Sequence, residues 1–514
     1  MTTMQARKKA FTKRSRTGCQ ACRTRRIKCD ETLGGCKNCK SAGWKCEGFD
    51  AVRLSKLGKR DLRWTSPTLT LQRINGNLPA GNVEEHRAFA FFQCLTVPSL
   101  TGYFDSRLWT DLILPMSHSE RAVNHAIVAL SALHEDSELR GAPLSKENLT
   151  LAHHRFALNQ YGRSLAALNE RRHSQDPKLR EVILTCCLLF VAFDLMRGQY
   201  DPGLLHLKQG LAIVEETLPN SSGIDAVGRS LFATMARFET QSVFYGLPPS
   251  AISSEGSGFD DRRGFQTPSE ARGALDRILA QVVRLLAAAY TVPLEERLPE
   301  QQPDLARQQA EIRLQLFKFE QYFHLYETRD PSRKSRKEQR GLDLIHLHYI
   351  TFSILLETTL CGTDSSVFDD YVNYFQQMLH LSKRISDSFL GESHPASRPT
   401  LLLDMGIISP LFFVCLKCHD FNLRLQALGL LESWPHREGL WDSRLLVIFI
   451  KQQFQLEIEV NTLACDFQAS GRVQELSLEV SDDQRHATIR YQTLEPGQKP
   501  RKQQRIISLD EDSK

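Results

Sequence analysis

Long apolar runs are missing from this 514-residue chain. The most apolar stretch, Val182 to Met196, is about 15 residues long and contains Asp194. A membrane-spanning helix needs about 20, so this stretch predicts a buried helix, and no membrane partner is expected. The opening segment, MTTMQARKKAFTKRSR, has no apolar core and does not read as a secretory signal. Enzyme signatures are missing too: there is no G-x-S-x-G elbow, no P-loop and no H-E-x-x-H. The histidines are dispersed, and the His153-His154 pair reads as packing or surface. No catalytic residue is assigned, and enzyme activity is not expected. Cys415-Leu-Lys-Cys418-His419 has the spacing of a c-type haem attachment site. It sits in the apolar helical stretch FFVCLKCHDFNLRLQAL, however, and reads as a helix with two buried thiols.

A sustained heptad is also lacking. Between Cys46 and about Glu84 no a/d pattern lasts three heptads, and Gly58, Pro67, Gly76, Pro79 and Gly81 interrupt the segment. Residues 47–83 therefore read as a flexible linker. A coiled-coil dimer is unsupported, which leaves binding as a monomer or a homodimer through the large domain.

Charge of one sign is scarce only locally. The net charge of +5 hides +13 on residues 1–65 and −8 on the remainder. A basic head on a mildly acidic body points to nucleic-acid contact in the head. Six of the thirteen cysteines lie in that head, at Cys19, Cys22, Cys29, Cys36, Cys39 and Cys46. The other seven are scattered, several of them in apolar helical patterns, as reduced thiols of a cytosolic or nuclear protein would be.

The six follow C-x2-C-x6-C-x6-C-x2-C-x6-C, a C-x2-C-x6-C unit repeated at an offset of 17. Three disulfides match the count but not the compartment. Iron–sulfur ligation usually takes four cysteines per cluster. Zinc fits better, because C-x2-C places two thiolates on one ion and the basic surroundings favour thiolate over thiol. One tetrahedral zinc would leave two cysteines idle. Two zincs need eight ligand positions, which six cysteines supply if two of them bridge. The repeat gives each half an equivalent first cysteine, so the predicted bridges are Cys19 and Cys36. With little apolar core, such a domain should draw most of its folding free energy from metal binding.

The whole stretch, GCQACRTRRIKCDETLGGCKNCKSAGWKC, resembles the binuclear zinc cluster, the two-zinc DNA-binding domain of fungal transcription factors. The resemblance rests on the six cysteines, the basic run Arg23 to Lys28, Cys29-Asp30 and Cys36-Lys-Asn-Cys39. In the family the first and fourth cysteines bridge, in agreement with Cys19 and Cys36. Gly34 departs from it, standing where the family commonly has proline.

The two halves differ in charge. Arg23, Arg25, Arg26 and Lys28 lie between Cys22 and Cys29, against Lys40 and Lys45 in the matching interval. The first half is thus expected to enter a DNA groove, where arginine can bond guanine O6 and N7 together. By resemblance, Arg25 and Arg26 stand where the family's basic pair reads a CGG triplet. Arg23, Lys28, Lys37, Lys40 and Lys45 are assigned to phosphate, which sets register without reading sequence. Arg7, Lys8, Lys9, Lys13, Arg14 and Arg16 form a basic arm, read as a nuclear localisation signal or phosphate-binding arm.

From about Glu84 the apolar spacing is helical. Ser117 and Glu120 suggest a capping box, Asp176-Pro177 a helix start. Residues 151–168, 204–218, 275–289, 312–326, 342–360 and 401–431 read as helices. Residues 251–270 and 291–304 read as surface loops. RHATIRYQTL and QRIISL suggest two short strands, and the basic run at Lys499, Arg501 and Lys502 beside them reads as a solvated tail. FFQCLTVPSLTGYFDSRLWTDLILPMSHSERAVNHAIVALSALHE and PLFFVCLKCHDFNLRLQALGLLESWPHREGLWD resemble the fungal-specific transcription factor regulatory domain, which accompanies this zinc cluster.

The expected protein is mostly α. It has a basic arm (1–18), a binuclear zinc cluster DNA-binding domain (19–46), a flexible linker (47–83) and an all-α helical-array regulatory domain (84–465). Its tail (466–514) is expected to be partly disordered or to form a short β hairpin. The resemblance implies a nuclear, zinc-dependent regulator of RNA polymerase II-type genes in a fungus, acting on double-stranded DNA with transcription machinery or coregulators. Control of a metabolic or secondary-metabolite pathway is the expected role. The competing reading is a ligand-sensing regulator, for a metabolite or sterol, or an interaction scaffold in which DNA binding is weak.

Overall fold

Asn82 opens the first long helix. Its side chain accepts the Glu85 N–H at 2.9 Å, and the Glu85 carboxylate accepts the Asn82 N–H at 3.2 Å, a capping box that fixes where the helical pattern begins. The computed structural model describes residues 21–22, 25, 27, 30, 36–43, 82–217, 226–249, 264–329, 334–362, 364–390, 398–463, 473–481, 483–493 and 501–509. The chain divides into two units, Met1–Asn77 and Leu78–Lys514.

The larger unit is an array of helices around two main cores. Helices α1 (Val83–Phe91), α2 (Arg121–Arg140), α3 (Ala152–Glu170), α4 (Leu179–Met196), α5 (Tyr200–Thr217) and α6 (Ala226–Ser242) build the first. Phe92, Trp109, Ile127, Leu188 and Phe238 are buried in it. Helices α7 (Pro268–Tyr290), α8 (Pro303–Glu327), α9 (Arg336–Glu357), α10 (Val372–Ser388), α11 (Ile408–Lys417), α12 (Phe421–Ser433) and α13 (Ser443–Leu463) build the second. Leu279, Phe319, Leu347, Phe375 and Leu411 lie inside it. Among the described residues no helix is long and apolar enough to cross a membrane.

A short strand joins the cores. Successive residues of a strand face opposite sides, and in β1 (Leu401–Leu402) Leu401 enters the first core while Leu402 enters the second. β1 pairs parallel with β2 (Arg437–Glu438), which pairs antiparallel with β3 (Trp441–Asp442) through a turn at Gly439, φ +54°. This arrangement carries Glu438 into the interior. Its carboxylate accepts the N–H groups of Gly406, Ile407 and Ile408 at 3.0, 3.0 and 2.8 Å, at the entrance of α11. Tyr103 donates its hydroxyl to the same group, and His436 Nε2 lies 2.9 Å from it. Burial resists ionisation of this carboxyl, but His436, Tyr103 and the Ile408 N–H outweigh it and hold the group below the usual glutamate range. Gly406 has to be glycine here, since a Cβ would stand 2.2 Å from Glu438 Oε1.

The C-terminal segment is a three-stranded antiparallel meander. Its strands are β4 (Val473–Val480), β5 (His486–Thr493) and β6 (Arg501–Ser508). β5 and β6 carry the expected hairpin, and β4 adds a strand that the sequence pattern did not reveal. Ala487, Ile489, Tyr491 and Ile507 pack with Phe449 and Leu456 of α13 and with Leu144. In the β4–β5 turn, Gln484 (φ +55°) reaches into the helical body. Its Oε1 accepts the Glu147 N–H at 2.9 Å and its Nε2 donates to the Arg197 and Gly198 carbonyls, both at 3.1 Å. Arg501 and Lys502 are exposed on β6; Lys499 lies outside the described residues.

Three local expectations are corrected. Ser117 and Glu120 form no capping box: Ser117 lies within the short helix Leu114–Ser119 and donates to the Leu114 carbonyl at 2.6 Å. Glu120 precedes α2 in an extended conformation and binds Arg171 instead. The helix after Asp176-Pro177 starts two residues late, at Leu179, because the Asp176 carboxylate accepts the Lys178 N–H at 2.9 Å and closes a turn first. Residues 401–431 are not one helix but β1, α11 and α12, broken where Cys418 turns extended (ψ 131°) and Asp420 caps the Asn422 and Leu423 N–H groups.

Candidate metal centre and nucleic-acid interface

In the smaller unit the second C-x2-C pair sits at the start of a four-residue helix, Lys37–Lys40. Cys36 is its extended N-cap (φ −66°, ψ 145°), and its Sγ accepts the Cys39 N–H at 3.3 Å. The same helix end is closed by Asp30, whose carboxylate accepts the Lys37 N–H at 3.0 Å and the Asn38 N–H at 3.5 Å. From the other half, Ala21 and Cys22 are helical and the Cys22 thiol lies at the same place, with the Ile27 N–H bonded to the Cys22 carbonyl at 3.1 Å.

The Sγ atoms of Cys22, Cys36 and Cys39 lie within 4.8 Å of one another and are buried. Cys22 Sγ is 3.5 Å from Cys36 Sγ and 3.8 Å from Cys39 Sγ. Tetrahedral zinc with bonds of about 2.3 Å needs thiolates about 3.8 Å apart, so these separations fit a shared metal. They are too long for a disulfide, whose sulfurs are about 2.05 Å apart. The two halves of the repeat thus converge, as ligand sharing requires.

Arg25 is half-buried, and its Nη1 donates to the Asn38 carbonyl at 3.4 Å, linking the basic run to the second half. Lys37 and Lys40 are exposed on the short helix. Cys19, Cys29, Cys46, Arg23, Arg26, Lys28 and Lys45 lie outside the described residues, as do the arm residues Arg7, Lys8, Lys9, Lys13, Arg14 and Arg16 and the glycine at Gly34. Sequence reasoning passed over the capping role of Asp30; the signal was a carboxylate directly after the third cysteine, facing a helix start.

In the larger unit, the C-x-x-C-H motif straddles the break between α11 and α12. Cys415 and Cys418 are buried and donate weakly to the Arg424 and Asp420 carbonyls at 3.6 and 3.8 Å. Burial pushes the Cys415 thiol up to about 12. His419 Nδ1 turns to Asp369 at 2.8 Å. Both thiols and the imidazole therefore serve packing and local pairing. His154 is likewise structural: its Nδ1 accepts the Asn148 N–H at 3.2 Å and its Nε2 faces Asp136 at 3.3 Å.

Comparison with known proteins agrees with this geometry. Residues 17–54 match the fungal Zn(2)-Cys(6) binuclear cluster domain, and residues 89–433 match the fungal specific transcription factor domain. The chain is 22% identical over 549 residues to the aspercryptin biosynthesis cluster-specific transcription regulator atnN of Emericella nidulans, covering 84% of this chain and 85% of the relative. It is 24% identical over 209 residues to the transcription regulator lscL of Purpureocillium lilacinum, covering 38% and 48%. Over 48 residues it is 46% identical to the transcriptional regulatory protein moc3 of Schizosaccharomyces pombe, 9% of each chain. No solved structure matches. The chain belongs to the fungal-specific transcription factors that carry a Zn(2)-Cys(6) binuclear cluster, a domain that binds two zinc ions and DNA.

Proposed function

We propose that this protein is a nuclear, sequence-specific regulator of RNA polymerase II-type genes that reads CGG-type triplets. The observation that carries this reading is the convergence of Cys22, Cys36 and Cys39 beside the run Arg23 to Lys28. Two zinc ions share Cys19 and Cys36, and Cys22, Cys29, Cys39 and Cys46 complete the two tetrahedra. Arg26 and Arg25 reach base edges in the major groove. Arg23, Lys28, Lys37, Lys40 and Lys45 hold phosphate and set the register. The arm at Arg7, Lys8, Lys9, Lys13, Arg14 and Arg16 directs nuclear import.

The working boundaries are residues 1–18 for the arm, 19–46 for the cluster, 47–83 for the linker, 84–465 for the regulatory domain and 466–514 for the tail. The regulatory domain contacts transcription machinery or coregulators, and any homodimer forms through it. Because one relative regulates an aspercryptin biosynthesis cluster, the regulated genes here belong to a metabolic or secondary-metabolite pathway. The test is a titration of the full-length protein with CGG-containing and scrambled duplexes at physiological salt. Selective binding of the CGG duplex supports the reading, and equal affinity for both sinks it.

A further inference from the structure

Helix α8 lies at the surface of the helical unit and is apolar on two sides. Ile312, Leu316, Phe319 and Phe323 are buried in the second core. The opposite side carries Leu314, Phe317 and Leu325, which are 55%, 57% and 58% exposed. Scattered exposed apolar side chains are ordinary on a protein surface. These three share one face of a single helix about 37 Å long.

Two opposite charges flank that face, two helical turns apart on the same side of it: Glu311 and Lys318. Both are exposed, and neither has an ion-pair partner among the described residues. The arginines of the same helix do have partners: Arg307 binds Asp304 at 3.0 Å and Arg313 binds Glu357 at 2.6 Å. Lay a second α8 antiparallel across this face, about a two-fold axis between residues 315 and 316. Leu314 of each copy then meets Phe317 of the other, and Glu311 of each copy comes beside Lys318 of the other. The face is its own complement, which is what a two-fold contact between identical chains requires. A uniformly acidic or basic partner would be matched by one of these charges and opposed by the other.

We propose that the exposed face of α8 is the contact of a two-fold homodimer, and that a second copy of this chain covers it. This inference rests on the reading that any homodimer forms through the helical domain, and it names the surface. Leu314 and Phe317 form the apolar centre, and the two Glu311–Lys318 pairs fix the antiparallel direction and the register. Two helices by themselves bury less than a standard interface. Dimerisation of micromolar strength is therefore expected, weaker at high salt because the charge pairs are exposed.

The experiment is sedimentation velocity of the full-length protein without DNA, over a range of micromolar concentrations. Wild type should show a monomer–dimer equilibrium. Glu311→Lys and Lys318→Glu each turn two attractive pairs into repulsive ones and should weaken dimerisation about tenfold. An equal mixture of these two variants should recover dimers, because every pair across the two-fold is then of unlike charge. The double variant Glu311→Lys with Lys318→Glu should dimerise like wild type. Phe317→Glu should leave monomer; should it not fold, the charge mixture decides the matter. A monomeric wild type, dimers unmoved by either single reversal, or a mixture of the two that stays monomeric would overturn the proposal. Dimers that survive every variant and also survive zinc chelation overturn the α8 contact alone. Dimers that survive every variant but vanish on chelation overturn the helical-domain reading as well, since the contact then lies in the zinc-bearing head.

Discussion

Cys22 and Cys36 belong to different halves of the cysteine repeat, yet their Sγ atoms are 3.5 Å apart, close to the separation of two thiolates on one tetrahedral zinc. Thirteen residues lie between them in the sequence, and with few apolar residues in this part of the sequence, metal ligation is the force available to hold the two thiols together. Full-length protein should therefore bind two zincs, read by elemental analysis. Chelation should abolish DNA binding while the helical unit keeps its own melting transition. A stoichiometry of one zinc contradicts ligand sharing by Cys19 and Cys36.

Arg26→Ala should cost about 1–3 kcal/mol on the preferred duplex and relax selection at one base pair. Lys40→Ala should weaken all duplexes alike and lower the salt slope by about 1. Competition binding at several salt concentrations separates the two. Uniform losses for Arg26→Ala would remove it from the base-reading role.

Glu438 gives the helical unit an acid-sensitive joint. Its carboxyl is held below the usual value of about 4.3, so its stabilising contribution is present at neutral pH and is lost as pH falls through the lowered value. Glu438→Gln should lower stability at pH 7 by about 3–5 kcal/mol, because three N–H groups then face a neutral amide. The gap between variant and wild type should close as pH drops below about 4. Denaturant melts across this range test it; a gap that stays constant in acid would refute the assignment. Asp194 works in the opposite sense: burial pushes it up to about 6, so the folded state gains from its protonation as pH falls below that value.

Gln484 fastens the C-terminal sheet through three hydrogen bonds to residues 147, 197 and 198. Gln484→Ala should destabilise the protein by about 1–3 kcal/mol. Amide exchange should quicken in β5 and β6 and change little in α7 to α10. Uniform exchange across both regions would show that the sheet is not separately fastened.

The readable parts of this sequence are those set by short spacing. The periodic runs became α3, α5, α7, α8 and α9, because an amphipathic helix writes its buried face into local order, but α7, α8 and α9 begin six to nine residues before the expected runs. The errors came where a polar side chain found a distant partner. Glu120 looked like half of a local box, but Arg171 takes its carboxylate. The run at 401–431 looked uniformly helical, but Leu401 and Leu402 are taken as a strand by Arg437 and Glu438. Strand β4 escaped notice because a strand's pairing depends on partners that its own pattern does not name.

The sequence by itself determined the metal centre, since six thiols within 28 residues at fixed spacing leave few ways to satisfy zinc. It also determined which half carries the arginines. Only the tertiary structure decided what lies between the two helical cores. Tyr103 meets Glu438 across 335 residues, and Arg272 meets Asp404 across 132. No local pattern encodes such pairs. They arise when burial strips water from charged groups and leaves each to find its partner in whatever the packed helices bring near.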